Sequence, residues 1–238
     1  MMNSIAGGGT LVTFPALVAL GVPPLNANAT STVALWPASV SSMWGYRAQL
    51  RGVRTWAWGF ARPSLIGGGI GAWLLLRTPA ARFNALVPWL VLGATALFIV
   101  QRPVMRWVRG HHATSEPGSR FPSAGILVFQ LLVGVYGGYF GAGIGILMLA
   151  ALGMMGFTNI HQMNGLKNWG GLCINVVAAL LFAFSRLVSW PVALAMAVGS
   201  VSGGYLGARA AQKVSQELVR GAVVAIGLIS GVALFVFR

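Results

Sequence analysis

Apolar residues run along this chain in long blocks separated by short clusters rich in arginine, glycine and proline. They show neither the two-residue alternation of a half-buried strand nor the one-sided stripe of a surface helix. Eight blocks can be drawn, at 1–20, 28–46, 58–76, 83–100, 123–155, 161–184, 190–208 and 218–237. A helix that crosses a bilayer needs about 20 mostly apolar residues. The pattern therefore predicts an all-α polytopic membrane protein of about eight transmembrane segments. Block 123–155 is too long for one straight span and contains Gly137, Gly138, Gly141, Gly143 and Gly145, so a helix broken in its middle is expected there. Block 1–20, with Gly7, Gly8 and Gly9, is expected to break at the same kind of motif. The polar run holding Arg102, Arg106, Arg109, His111, His112, Glu116, Pro117, Gly118 and Arg120 reads as the one long loop.

The blocks repeat. Gly7-Gly8-Gly9 is similar to Gly143-Ile144-Gly145, and 143 − 7 = 136. Asn28 matches Asn164 at the same offset, as do Gly67, Gly68, Gly71 and Ala72 with Gly203, Gly204, Gly207 and Ala208. Ala96-Leu97-Phe98 matches Ala233-Leu234-Phe235 at 137. A near-constant offset over four separated segments predicts two homologous four-segment halves: a first repeat at 1–101, a cytoplasmic linker loop at 102–122 and a second repeat at 123–238. Two-repeat construction is common in secondary transporters, whose sites lie between the repeats near the midplane. Residues 124–136 have no counterpart, since positions 136 lower would precede Met1. The first helix is thus short by roughly a dozen residues, and the expectation is that the natural gene starts upstream.

Composition agrees with the pattern. The chain is 57% hydrophobic and 8% charged, against about 25% charged in a soluble domain, so it cannot cover a water-facing surface. The formal charge of +14 is spread in short clusters between apolar blocks and is not gathered on a soluble domain. That arrangement follows the positive-inside rule and argues against nucleic acid as a partner. The loops 47–54 and 101–120 are expected on the cytoplasmic side. Arg77 and Arg82 lie opposite, together with Arg209, Lys213 and Arg220 unless the broken segments change the parity. The single cysteine, Cys173, excludes a disulfide framework, and no metal motif is present.

Few residues carry chemistry. The glycine clusters Gly7–Gly9 and Gly141–Gly143 either pack helices closely or interrupt them, and an interruption frees backbone N–H groups that attract anions. The stripe Gly67, Gly71, Gly199, Gly203 and Gly207 reads as helix packing. Asn164, Lys167, Asn168, Gly171 and Asn175 are spaced by three and four residues and share one face of a helix. Lys167 is either an anion ligand or a side chain that snorkels to the interface. Asn28, Thr30, Ser31 and Thr32, at the matching place in the first half, are either donors to a ligand or caps. His161 is read more readily as a loop-end residue than as a proton relay.

The run from Ala6 to Pro15, with Gly7-Gly8-Gly9, followed by Gly21-Val-Pro-Pro-Leu-Asn-Ala-Asn-Ala-Thr-Ser-Thr32, resembles the first repeat of the sulfite exporter TauE/SafE family. The second repeat resembles it at Gly137–Gly145 and at Asn164-Gly-Leu-Lys-Asn168. The resemblance covers nearly the whole chain and implies transport of sulfite, organosulfonates or related sulfur anions across the bacterial inner (plasma) membrane, by a multi-pass protein. Expected partners are a small anion and lipid, with a homodimer compatible. No cofactor, metal or nucleic acid is expected. The candidate binding residues are Lys167, Asn164, Asn168, Asn175, Asn28, Thr30, Ser31, Gly7, Gly8, Gly9, Gly141 and Gly143. An enzyme is disfavoured: the only acids are Glu116 and Glu217, and neither falls in the candidate site. An exporter is the leading reading; an importer, a passive uniporter or an accessory subunit are its rivals.

Overall fold

The structure is a computed structural model. It describes residues 9–111, 122–155, 157, 159–210 and 216–236, the side chains of 51, 101–102, 104–111, 201–210 and 216–220 excepted. Nine α-helices and no strand occur among the described residues: α1 Gly9–Ala19, α2 Pro24–Gly45, α3 Arg54–Arg77, α4 Ala80–His111, α5 Ala124–Tyr139, α6 Ile144–Met154, α7 Ile160–Ala183, α8 Trp190–Ala210 and α9 Gln216–Val236. A short 3₁₀ turn, Arg51–Val53, precedes α3.

Local chemistry sets the boundaries. The α1–α2 turn passes through Gly21 at φ 83°, where an L side chain would be strained. α2 then starts behind Pro23 with Pro24 in its first turn, where a missing N–H does no harm. Asn159 caps α7, its side-chain oxygen accepting from the N–H of His161 at 2.9 Å and of Gln162 at 3.3 Å. Helix α4 runs past the expected loop start, so residues 102–111 are helical. The spacing of Arg102, Arg106 and Arg109 by four and three residues is a helical period that the loop reading overlooked.

The long block 123–155 is not a single broken span. Its two helices fold back on each other. A Cβ placed on Gly170 of α7 would lie 3.2 Å from Gln130 Nε2 of α5 and 3.4 Å from Met148 of α6. Val133 of α5 shares a core cluster with Ile144 and Met148 of α6 and Ile174 of α7. Both ends of this hairpin reach one end of the bundle. There Pro122 lies against Gly59, and Phe157 stacks edge-on to Trp56 with ring centroids 5.0 Å apart. That end, which also holds Leu50 and Val53, is called here the first end. The hairpin tip at 140–143 stops inside the bundle. Its glycines, Gly141 at φ 82° and Gly143 at φ 81°, take a backbone conformation that other residues rarely adopt.

Consequently α2 and α7 run in opposite directions. The start of α2 meets the exit of α7 at the second end, where Asn26 Nδ2 donates to Leu187 O at 2.9 Å. The exit of α2 meets the start of α7 at the first end, where Gly165 faces Leu50 and Gln49. Helices α4 and α9 are also antiparallel, since Gly227 approaches Thr95, Gly231 approaches Leu92 and Phe235 stacks on Trp89. The end of α8 and the start of α9 therefore lie at the first end. This overturns the expectation that places Arg209 and Arg220 opposite the 47–54 loop; Lys213 lies outside the described residues.

Glycine makes the tightest contact. Helix α5 lies against α3 with Gly67, Gly71, Gly134 and Gly138 at the seam, and a Cβ placed on Gly68 would lie 2.9 Å from the backbone of Ile174. Beside it the buried Gln130 donates from Nε2 to Ser64 Oγ at 2.9 Å. The outer surface is apolar, with Ile66, Ile70, Leu132, Leu194 and Val232 all exposed. Arg47 stacks on exposed Trp44 at 4.8 Å near the first end, and Arg77 on exposed Trp73 at 5.2 Å near the second. Two helical stretches, Ala80–Val100 and Ile160–Ala183, combine the length and apolarity needed to cross a membrane among the described residues.

Gly138→Ala should lower stability by about 1–3 kcal/mol, because the new methyl would overlap the carbonyl of Gly68. Gly93→Ala, on an exposed helical position where a Cβ meets nothing, should be neutral or stabilising by up to ~1 kcal/mol. Melting of the detergent-purified variants measures both, and equal effects at the two positions would contradict the seam.

Candidate functional site

A cavity of about 50 Å³ opens between α1, α2, α7 and the start of α6. Its wall holds Thr10, Thr32, Leu35, Ser39, Ser42, Gly141, Ile144, Gly145, Lys167, Asn168, Gly171, Leu172 and Asn175. Six of these form three pairs at the repeat offset, since 168 − 32, 171 − 35 and 175 − 39 all equal 136. One such pair touches: Asn175 Nδ2 donates to Ser39 Oγ at 3.4 Å, across the crossing of α2 and α7. The cavity thus straddles the crossing of α2 and α7.

Its electrostatics come from two sources. Lys167, 3% exposed, is the only charged side chain among the buried described residues. Helix α6 begins at the wall, and the first N–H groups of a helix carry partial positive charge directed outward from its start. Asn168 contributes an Nδ2 that is buried with no hydrogen-bond partner among the described residues. Thr10 and Ser42 add hydroxyls to the wall, while the hydroxyls of Thr32 and Ser39 donate to Asn28 O at 3.0 Å and to Leu35 O at 3.4 Å. Among the described residues no group of three histidine, cysteine or acidic side chains could hold a metal ion.

The structure brings Lys167, Asn168, Asn175 and Gly141 together in this wall. Other candidate residues have different positions. Asn28 Nδ2 donates to Tyr139 O at 2.9 Å and so holds the end of α5 beside the hairpin tip. Thr30 Oγ1 accepts from Ser189 N at 3.1 Å, bracing the entry to α8. Ser31 Oγ pairs with Thr13 Oγ1 at 2.7 Å, joining α1 to α2. Asn164 lies one turn before Asn168, outside the wall, and Gly143 is the left-handed residue that starts α6. Gly9 opens α1 just ahead of the wall residue Thr10, while Gly7 and Gly8 lie outside the described residues. His161 is exposed at the start of α7.

Sequence reasoning missed Ser39 and read Thr32 only as a neutral donor or cap at the start of its segment. The signal existed, because subtracting the offset from Asn175 and Asn168 lands on them. Leu35, Ser42 and Leu172 carry no comparable signal and join the wall only through helix crossing.

A sequence profile described as "Sulfite exporter TauE/SafE" matches residues 1–234. The chain belongs to that family. It is 29% identical over 229 residues to a "Probable membrane transporter protein" of Haemophilus influenzae, covering 94% of this chain and 85% of the relative. A "Probable membrane transporter protein ORF9" of a Sinorhizobium species is 29% identical over 230 residues, covering 95% and 84%. The Escherichia coli K12 "Probable membrane transporter protein YfcA" is 28% identical over 236 residues, covering 96% and 82%. No solved structure matches with significance. This member of the TauE/SafE family is a membrane transporter and not an enzyme.

Replacing Lys167 by alanine should weaken the anion-dependent rise in melting temperature by roughly ten- to a hundredfold in apparent Kd, the value of a charge-assisted hydrogen bond. Lys167→Arg should keep part of the effect, since charge survives while geometry changes. Unchanged anion stabilisation in Lys167→Ala would remove Lys167 from recognition.

Proposed function

We propose that this chain is a secondary transporter that moves a small sulfur-containing anion, such as sulfite or a small organosulfonate, across the bacterial inner membrane, with export as the working direction. The observation that carries the reading is the cavity at the α6 start, where one buried lysine and the Asn168 amide lie beside a helix N-terminus. Such an arrangement replaces part of the hydration shell of an anion.

The two halves form an inverted repeat. Helix starts recur at constant spacing: α2 and α7 at residues 24 and 160, α3 and α8 at 54 and 190. The fold-back of α5 and α6 reverses the parity, so each later helix opposes its earlier equivalent. Ligand sites in inverted-repeat transporters lie where the repeats meet, beside interrupted helices. Alternating access would then rock one half against the other about the α2–α7 crossing.

Orientation follows from the same geometry. The first end collects Arg47, Arg51, Arg54, Arg102, Arg106, Arg109, Arg209 and Arg220; Arg77, Arg82 and Arg186 belong to the second. The bias places the first end in the cytoplasm.

Cysteines at Ala48 and Ser123, in a Cys173→Ser background, should resist an impermeant thiol reagent in intact cells, while one at Ala80 should react. The reverse pattern would overturn the orientation. Sulfite flux in proteoliposomes tests the function itself: flux by the native chain that disappears in Lys167→Ala supports the reading, and equal flux in empty liposomes sinks it.

A further inference from the structure

We infer that the contact between the exit of α2 and the start of α7 at the first end is a gate of the site, and that it is the closure built to yield, because opening it gives water to amide oxygens that the closed form leaves without a partner. This rests on the transporter reading above and adds the element that moves.

The polar stripe of α7 does not stop at the cavity. Lys167, Asn168, Gly171 and Asn175 line the wall, and one turn nearer the first end the same helical face carries Asn164. Gly165, next to it, meets the chain that leaves α2: a Cβ placed there would lie 3.4 Å from Leu50 Cδ2 and 3.6 Å from Gln49 Cβ. Gly52 approaches the same helix, a Cβ on it lying 3.5 Å from Gln162 Nε2. Leu50 is buried in one cluster with Met163 and Leu166 of α7, and Met43 of α2 packs against that cluster. An anion that follows the stripe to the first end has to pass this contact.

The polar groups at the two ends are treated differently. Gln49 Oε1 and Asn164 Oδ1 are buried with no hydrogen-bond partner among the described residues. A buried acceptor left unpaired has lost its hydration without a bond in exchange. At the second end the groups that tie the start of α2 to the α7–α8 turn are paired. Asn26 Nδ2 donates to Leu187 O at 2.9 Å, and Ser189 N donates to Thr30 Oγ1 at 3.1 Å. Phe14 of α1 also meets Phe140 of the hairpin tip edge-on, with ring centroids 5.5 Å apart. Opening the second end breaks bonds already made. Opening the first end lets water reach two oxygens that had no partner, so the first end yields more readily. The bond from Asn175 to Ser39, at the crossing between the two ends, is then the fulcrum.

Gln49 and Gly165 lie outside the wall, so both can be changed without altering it. Their Cβ separation of 3.6 Å falls within the range of a disulfide, about 3.5–4.5 Å.

The test uses the full chain in proteoliposomes, with Gln49→Cys and Gly165→Cys together in a Cys173→Ser background. Oxidation should cross-link the pair and lower flux of methanesulfonate, an anion that unlike sulfite does not cleave disulfides, by about tenfold or more, and reduction should restore it. The methanesulfonate-dependent rise in melting temperature should survive in the cross-linked form, since the wall is intact. Gln49→Met puts an apolar group of similar size in place of the unpaired oxygen. That variant should melt higher than the native chain yet carry sulfite about tenfold more slowly, because its closed form no longer gains by opening to water. Native flux by the cross-linked pair, no cross-link on oxidation, or sulfite transport at the native rate by Gln49→Met would each overturn the gate while leaving the transporter reading standing. Where the reduced pair is inactive, or the native chain carries sulfite alone, the Gln49→Met result decides. A native chain that carries neither anion faster than empty liposomes would overturn both.

Discussion

Four residues of non-helical backbone, 140–143, lie inside an apolar bundle, and the rest of the structure is organised to make that tolerable. Irregular backbone at depth is stable only where protein or a cavity meets its polar groups. Here Asn28 reaches across from α2 to the carbonyl of Tyr139, and the Tyr136 hydroxyl turns back to the carbonyl of Ala142. Helix α5 is pressed against α3 through glycines on both sides, a contact in which any side chain would separate the backbones. Once the tip is held, α6 must start beside the α2–α7 crossing, and its first N–H groups face the cavity. Removing the interruption would give a single long helix with neither a site nor a reversal of direction.

The reversal has a further consequence for charge. A chain with eight simple spans would scatter its arginines over both faces of the membrane. With the hairpin returning to the end it left, the loop before α3, the end of α4, the end of α8 and the described start of α9 fall together. The basic excess thereby gains a direction, and the first and second halves oppose each other. Equivalent residues then meet face to face, as Ser39 and Asn175 do. Lys167 departs from this equivalence: its partner position is Ser31, which bonds to Thr13 outside the cavity. The wall thus combines neutral polar residues at equivalent positions with one lysine that has no equivalent in the first half of the chain.

Much of this was legible in the amino-acid order. Block length and the scarcity of charge identify a membrane-embedded helical chain, because backbone polar groups in lipid leave few alternatives to helices. The offset of 136 announces the duplication, and the glycine-dense stretch around Gly141 and Gly143 marks an interruption, since glycine is unfavourable within a helix unless conformation or close approach demands it. The spacing of Lys167, Asn168 and Asn175 places them on one helical face. These are local properties, carried by composition, period and the conformational preference of single residues.

The tertiary structure decided what local properties cannot. Whether an interrupted block continues across or folds back depends on which neighbours accept it, here Gly67, Gly71, Ile174 and Gly170 on two other helices. Whether a polar residue faces a ligand or braces the scaffold depends on what lies opposite: Asn28 and Thr30 share the chemistry of the wall residues, but the end of α5 and the loop before α8 stand in front of them. Sequence by itself determined which residues are polar and where the helix is interrupted. Packing determined which of those polar groups are left to meet a substrate, because a hydrogen bond once made inside an apolar bundle is no longer offered to anything else.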